Sequence, residues 1–569
     1  MRLKISKSKN AASLYVIKDI YSNGKRTSKI VEKLGTLAEL QNRLNGEDPI
    51  EWAKKHIAEL NEKEKRNAVE IIAKFSQSKQ ISKEKQVLYN GGYLFIQDIY
   101  YKLGLKKICM QLTQKYKFTF DLNDILSKLI YTRILYPSSK LSSFKASSKF
   151  IEQPKFKLQQ VYRALEVIAK ESNFIETEVY KNSLNLSKRN TKVLYYDCTN
   201  YFFEIEKANG LKQYGLSKEH RPNPIVQMGL FMDGDGIPLA FSIFDGNSNE
   251  QPTLKPLEQR ILSDFGLSKF IVCTDAGLAS NLNRRFNNIN DRGFIVTQSL
   301  KKLKKHLKEW ALDPDGWSLP GSSKTINLSK IDDSAENQNV YHKERWIKEN
   351  GLEQKLIVTY SPKYKAYQGS IRDKQVARAE NLVSRPSKIN RKKANDPKRF
   401  ITESRCTSDG ELAEKQVLAI DTDRIAKEEQ FDGFYGVCTN LEGDTQAVIT
   451  INKQRWEIEE SFRILKSEFK ARPIYLSRED RIQAHFTTCF LALLIYRLIE
   501  KKLEEKYTVQ ELIETLKEMN FMELKGDGYV PIYTRTDLTD DLHETFGFRT
   551  DTQIVEQKKM KNIIKQTKR

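Results

Sequence analysis

Hydrophobic positions change their spacing along the chain, and the spacing predicts the elements. Between Leu94 and Ser172 they recur at helical intervals: Ile125, Leu126, Leu129, Ile130, Ile134 and Leu135, then Val161, Leu165 and Ile168, with Pro137-Ser-Ser between the two stripes. From Thr191 the apolar residues gather into short runs bounded by turn residues, the mark of buried strands. These are Val193-Leu-Tyr-Tyr-Asp, Ile225-Val-Gln-Met-Gly-Leu-Phe-Met, Pro238-Leu-Ala-Phe-Ser-Ile-Phe, Phe270-Ile-Val-Cys-Thr-Asp and Gly293-Phe-Ile-Val-Thr. Asp233-Gly-Asp-Gly joins the second to the third as a hairpin, and Pro252 to Phe265 reads as a helix. A hairpin followed by strands alternating with helices predicts a mixed α/β sheet.

The flanking stretches differ. Residues 1–85 pair a strand-like Ser13-Leu-Tyr-Val-Ile-Lys with charged helical sequence around Pro49–Gln77, an α+β module. Residues 86–190 are helical, and 191–299 hold the first part of the sheet. Residues 300–430 lose its rhythm: lysines cluster at 301, 302, 304, 305 and 308, Lys355-Leu-Ile-Val-Thr-Tyr reads as a strand, and residues 371–400 carry ten Lys or Arg against three acids. This stretch is expected to be an insertion with its own β structure and a basic, partly flexible segment. Phe434-Tyr-Gly-Val-Cys-Thr returns to the sheet, so 431–504 hold its second part, with a long helix from about Lys453 to Phe469 and an apolar one over Arg481–Lys502. Residues 505–569 are expected to form a helix, a turn and a lysine-rich tail.

Composition narrows the function. Ninety-six Lys and Arg against 74 Asp and Glu leave a formal charge of +22, while 39% apolar and 10% aromatic residues suit a folded chain. That surplus on a folded chain points to a polyanion, most simply nucleic acid. The longest apolar run, near Cys489–Ile499, is too short to span a bilayer. No secretory signal follows the basic N-terminus. Six dispersed cysteines form no Cys-x-x-Cys pair, which argues against zinc fingers and disulfide scaffolds. A cytoplasmic, nucleoid-associated protein with reduced thiols and no membrane partner is the expectation.

Candidate chemistry lies in acids at strand ends. Asp197 and Asp275 each close an apolar strand, where ligand chemistry collects in α/β sheets. Each could equally cap a following turn. Brought together they would repel, and a divalent cation would remove that penalty. A third acid lies in Lys453-Gln-Arg-Trp-Glu-Ile-Glu-Glu-Ser-Phe-Arg-Ile-Leu-Lys-Ser-Glu-Phe. On one helix, Ile458, Phe462, Leu465 and Phe469 form the buried stripe, and Arg455, Glu459, Arg463, Lys466 and Lys470 a second beside it. One acid among four bases suits a metal ligand flanked by phosphate-holding groups. A solvated face with an Arg455–Glu459 pair gives the same pattern, and periodicity alone does not separate Glu459 from Glu457 or Glu460.

These residues carry a resemblance. Asp197 in Tyr-Tyr-Asp-Cys-Thr-Asn-Tyr-Phe-Phe-Glu and Asp275 in Cys-Thr-Asp-Ala-Gly-Leu-Ala-Ser resemble the first two acids of the DDE insertion-sequence transposases, in the group with a β-rich insertion before the last acid. That group's signature is Tyr, two residues, Arg, three residues, Glu, six residues, Lys. Arg455, Glu459 and Lys466 fit it, and Asn452 stands where the signature has Tyr. Gly246-Asn-Ser-Asn-Glu, Phe431-Asp-Gly-Phe-Tyr-Gly-Val-Cys-Thr-Asn and Arg472-Pro-Ile-Tyr followed by His485 are similar to the same group, so the likeness runs from about Thr191 to Leu498. It implies an RNase H-like core interrupted by a β-insertion, with residues 86–190 binding DNA ends. Asp197, Asp275 and Glu459 are then the catalytic acids and ligands of two Mg²⁺ or Mn²⁺ ions. The implied activity is cleavage at terminal inverted repeats of double-stranded DNA and strand transfer into target DNA, by a homodimer in the synaptic complex. Arg455 and Lys466 would grip end phosphates, with Arg463 and Lys470 beside them, and Trp456 could stack on an unpaired base.

Weaker candidates have ordinary explanations. His485 suits a hydrogen-bonded core histidine, Glu204 and Asp245 solvated turn residues, and the basic runs at 301–308, 388–399 and 558–569 solvated faces. Two other functions fit the same charge and fold: a non-catalytic DNA-binding protein, and a structure-selective nuclease that cuts without joining.

Overall fold

The computed structural model describes the 569-residue chain except residues 8–11, 23–24, 45–46, 68–76, 79, 81–82, 323, 385–395 and 407–411. The chain divides into two compact units, Met1–Lys85 with Leu524–Asp527, and Gln86–Glu523 with Gly528–Arg569.

In the first unit, strands Arg2–Lys7, Ala12–Ser22 and Lys25–Thr36 form an antiparallel sheet. Leu14, Val16 and Leu34 pack against Leu40, Ala53 and Ile57 of the helices Leu37–Arg43 and Pro49–Asn67. Thr36 and Glu39 cap the first helix reciprocally, which fixes where strand gives way to helix.

The second unit is built on a ten-stranded sheet. Its strands are β1 (Val193–Phe202), β2 (Ile225–Asp233), β3 (Pro238–Asp245), β4 (Ile271–Thr274), β5 (Gly293–Gln298), β6 (Trp317–Ser318), β7 (Thr325–Ile326), β8 (Tyr341–Glu349), β9 (Leu352–Tyr360) and β10 (Phe434–Thr439). The order is β7-β6-β8-β9-β10-β5-β4-β1-β2-β3. Within it, β1, β2 and β3 are an antiparallel meander, and β4 and β5 add to β1 in parallel, the RNase H-like arrangement. The two faces of β1 bury different partners. Leu194, Tyr196 and Cys198 pack on Leu254, Leu257 and Ile261 of helix α1 (Leu254–Asp264). Val193 and Tyr195 join Cys273 and Ile295 beneath Val448 and Ile449 of helix α2 (Thr445–Gln454).

Residues 300–430 depart from expectation in two ways. Only part of their β structure stands apart: Ile401–Cys406 and Leu412–Ile420 form a separate antiparallel pair, whereas β8 and β9 pair with each other and β9 pairs with β10 from Lys355↔Thr439 to Tyr360↔Phe434, which prolongs the core sheet. The basic segment begins as a 22-residue helix, Pro362–Val383, whose Arg372 is buried and paired with Asp432. Part of the 388–399 run lies outside the described residues.

Helix α4 (Glu479–Lys502) spans 24 residues, longer than the apolar run suggested, and is long and apolar enough to cross a membrane by length and composition. It is instead the core helix of the unit, with Phe486 against Tyr201, Phe490 against Phe241, and Thr487 Oγ1 at 2.8 Å from Ser172 Oγ of the helical region. The last residues are also folded. Strands Asn520–Leu524 and Gly528–Pro531 share a small sheet with Leu88–Asn90, and the lysine-rich tail is a helix, Gln557–Gln566, with Met560 and Ile563 buried. The tail's Lys pattern hid an amphipathic helix: the charges occupy its outer face.

Candidate active site

The parallel pairing of β1 with β4 sets the first two acids. Val193↔Ile271, Leu194↔Val272 and Tyr195↔Cys273 are in register, and the same 78-residue offset, continued two residues, places Asp197 opposite Asp275 on the face that carries Val193 and Tyr195. Asp197 does not end its strand as its apolar run suggested: β1 continues through Phe202, because Cys198–Phe202 find partners along β2. Asp275 does follow the last residue of β4, where its Oδ1 accepts the Leu278 N–H at 3.0 Å. Burial pushes the Asp197 carboxyl up to about 6, and the Asp275 charge adds to the rise against the opposing pull of Lys218, the Cys198 N–H and Arg455.

The third element is not one helix. The chain leaves α2 at Gln454, turns at Arg455, re-forms as helix α3 (Trp456–Arg463) and ends in a π-turn over Ile464–Glu468. The extra residue in that turn breaks the stripe expected from Arg455 to Lys470. Arg463 stays outside and pairs with Glu460 and, at 3.8 Å, with Glu468. Lys466 swings inward, its Nζ donating to Thr199 Oγ1 at 2.6 Å and lying 3.7 Å from Glu219. Burial and the neighbouring Lys218 push its ammonium down to about 8. Lys470 lies beyond the helix at φ 44°.

Arg455 connects the acids. Its Nη2 lies 3.3 Å from Glu459 Oε1, and the charges of both Glu459 and Asp197 act on it. Glu459 is well exposed, and it shares with Trp456, Arg455 and Tyr435 a cavity of about 410 Å³. Glu457 is drawn instead toward Arg497, at 3.8 Å, and Glu460 is bound to Arg463. Of the three glutamates, Glu459 alone shares an arginine with Asp197. Trp456 is 57% exposed, which leaves its ring free to meet a ligand. Asn452 is buried and donates through Nδ2 to the Tyr435 hydroxyl at 3.3 Å, which also lies 2.7 Å from Thr297 Oγ1.

Several neighbours of the acids were not singled out from the sequence. Lys218 donates to the Cys198 carbonyl, pairs with Glu250 at 3.0 Å and pulls on Asp197. Glu219 pairs with Arg472. Glu250 lies in the Gly246–Glu250 motif and was the one with a signal; Lys218 and Glu219 sit in a connection without periodicity. Glu204 and Asp245 are exposed, and His485 is buried with Nε2 donating to the Ala471 carbonyl at 3.0 Å.

Among the described residues, no three carboxylate, imidazole or thiolate groups lie close enough to hold a metal ion together. Asp197 and Asp275 supply the all-oxygen donors a hard divalent cation takes, and the burial and, after it, the Asp275 charge that lift Asp197 are penalties such a cation relieves. The pair fits a divalent ion, while Glu459 is drawn to Arg455.

A family model described as "Transposase DDE domain" matches residues 203–495, just over half the chain, and spans Asp275 and Glu459 while beginning shortly after Asp197. No curated protein matches the chain. Among solved structures, the piggyBac transposase synaptic complex with hairpin DNA, determined by cryo-EM, is similar over 83% of each chain at 8% identity and a TM-score of 0.36. With the RNase H-like order of its sheet and two carboxylates set side by side upon it, the chain belongs to the DDE transposases, enzymes that cleave DNA and transfer its strands.

Proposed function

We propose that Asp197, Asp275 and Glu459 are the catalytic acids of this transposase and that two divalent ions, Mg²⁺ or Mn²⁺, work on them. The observation that carries the reading is the β1–β4 register, which makes neighbours of two carboxylates 78 residues apart. When bound, the ions supply an activated attacking oxygen and a stabilised leaving oxygen. Asp197 must be ionised to bind a cation. Arg455 neutralises Glu459 in the free protein, and a DNA phosphate taken by its guanidinium would release that glutamate toward the aspartates. Lys466, which donates to Thr199 two residues past Asp197, would hold a phosphate beside the cut. Trp456 stacks on a base unpaired there.

The DNA is the double-stranded terminal inverted repeat of the element, then a target duplex, handled by a homodimer in the synaptic complex in the nucleoid. The test is strand transfer from a supercoiled donor plasmid bearing the inverted repeats that flank the gene. Insertion products that require Mg²⁺ and vanish with Asp197→Asn, Asp275→Asn or Glu459→Gln are expected. Cleavage without joining would assign a nuclease, and unchanged products in those variants would refute the site.

A further inference from the structure

On the same side of the sheet as Lys466, beyond Glu219 and Arg472, lies a cavity of about 590 Å³ between the helical region and the segment that follows the π-turn. Arg133, Lys140, Lys470 and Arg472 line it, His485 closes it, and no acid is among its lining residues. Lys140 is only 4% exposed, and among the described residues its ammonium has no hydrogen bond or ion pair. Arg133 is 2% exposed. It spends its Nη groups on the carbonyls of Phe469, Lys470 and Ser138, while its buried Nε has no partner. His485, in contact with this cluster, is held neutral by burial and by the charges of Arg133 and Lys140.

A surface lysine is solvated and says nothing. A lysine this deeply set, its ammonium opening into a cavity beside a buried guanidinium and with no carboxylate facing either, is a ready seat for an anion that supplies the missing charge and hydrogen bonds. Burial and the Arg133 charge push Lys140 down to about 7, and an anion bound beside it would raise it again. Pro473, Ile474 and the exposed Tyr475 give the cavity an apolar wall beside the basic one, and its volume exceeds what a bare phosphate fills.

We infer that this cavity is a phosphate site, with Lys140 and Arg133 as its floor and Arg472 and Lys470 at its mouth, and that it seats one backbone phosphate of the bound DNA. The charge pattern alone assigns the phosphate; that the phosphate belongs to DNA rests on the transposase reading. The path from Asp197 through Thr199, Lys466 and Glu219 to Arg472 makes the cavity continuous with the catalytic acids.

The experiment uses the full chain and Lys140→Met, which keeps the volume and removes the charge. Thermal unfolding with increasing inorganic phosphate should raise the wild-type midpoint and leave that of the variant unmoved. Without phosphate the variant should be as stable as wild type or more so, which a lysine with a structural ion pair would not allow. Binding of an inverted-repeat duplex, measured by anisotropy over a range of salt, should show a log–log slope shallower by about 0.9 in the variant. A loss of the phosphate effect with an unchanged slope would overturn the DNA assignment, leaving a site for free phosphate. An equal phosphate effect in both proteins would overturn the site itself. Asp197→Asn should lose cleavage yet keep both the phosphate effect and the slope, which separates failure here from failure of the catalytic reading.

Discussion

Asp197, the first of the proposed catalytic acids, is held at a cost to the fold, and replacing it should stabilise the free protein. Its carboxyl rises from an ordinary 3.8 to about 6, first through burial and then through Asp275. A raised carboxyl favours the folded state most when neutral. Its contribution is intact below 3.8, falls as pH climbs toward about 6 and is gone above that. The span corresponds to about 3 kcal/mol at most, and partial exposure of the group reduces it to about 1–3 kcal/mol. Asn at this position keeps an oxygen for the Cys198 N–H, accepted at 2.7 Å, and carries no charge. Urea unfolding in EDTA should therefore show Asp197→Asn level with wild type near pH 4 and more stable by that amount at pH 8. Added Mg²⁺ should narrow the gap by stabilising wild type alone. A pH-independent difference, or a variant less stable than wild type at pH 8, would refute the reasoning.

Lys466, pushed down to about 8, carries its charge below that pH and loses it above. DNA affinity should fall between pH 7 and pH 9 in wild type and stay level in Lys466→Arg, with Lys466→Met about tenfold weaker at pH 7 by anisotropy. Trp456, 57% exposed, contributes little packing, so Trp456→Ala should leave urea stability within about 0.5 kcal/mol and weaken end binding by about 1–3 kcal/mol. Arg189 and Asp233 form a fully buried pair at the β2–β3 hairpin, with Arg189 also bonding the Ile237 and Pro238 carbonyls at 3.2 and 2.9 Å. Arg189→Met leaves the buried Asp233 without its cation, held by only the Asp235 and Ile237 N–H groups, and should cost about 3–5 kcal/mol in the same unfolding assay.

What the sequence disclosed was local. Apolar runs marked β1 to β5 to within a residue or two at most ends, since a strand buried on both faces needs continuous apolar residues. Spacing around Arg455, Glu459 and Lys466 marked the element that carries Glu459. Long-range pairing was hidden. Nothing in Lys355–Tyr360 says that it joins β10 rather than a sheet of its own, and nothing in Val193–Asp197 says that the strand runs on to Phe202. The π-turn at Ile464–Glu468 was invisible for a similar reason: a helical stripe assumes a constant period, and one extra residue sends Lys466 to the sheet and leaves Lys470 beyond the helix. Lys218, Glu219 and Lys140 owe their place entirely to tertiary packing, which is why no periodicity revealed them.

Asp197, Asp275 and Glu459 are proposed to hold divalent metal when DNA is bound. Fe²⁺ in place of Mg²⁺, with peroxide and ascorbate, generates radicals that cut the polypeptide beside the metal. In the full chain on its inverted-repeat DNA, cuts are expected next to Asp197, Asp275 and Glu459, competed away by Mg²⁺ and lost in Asp197→Asn. Cuts confined to other segments, or unchanged in that variant, would contradict that proposal.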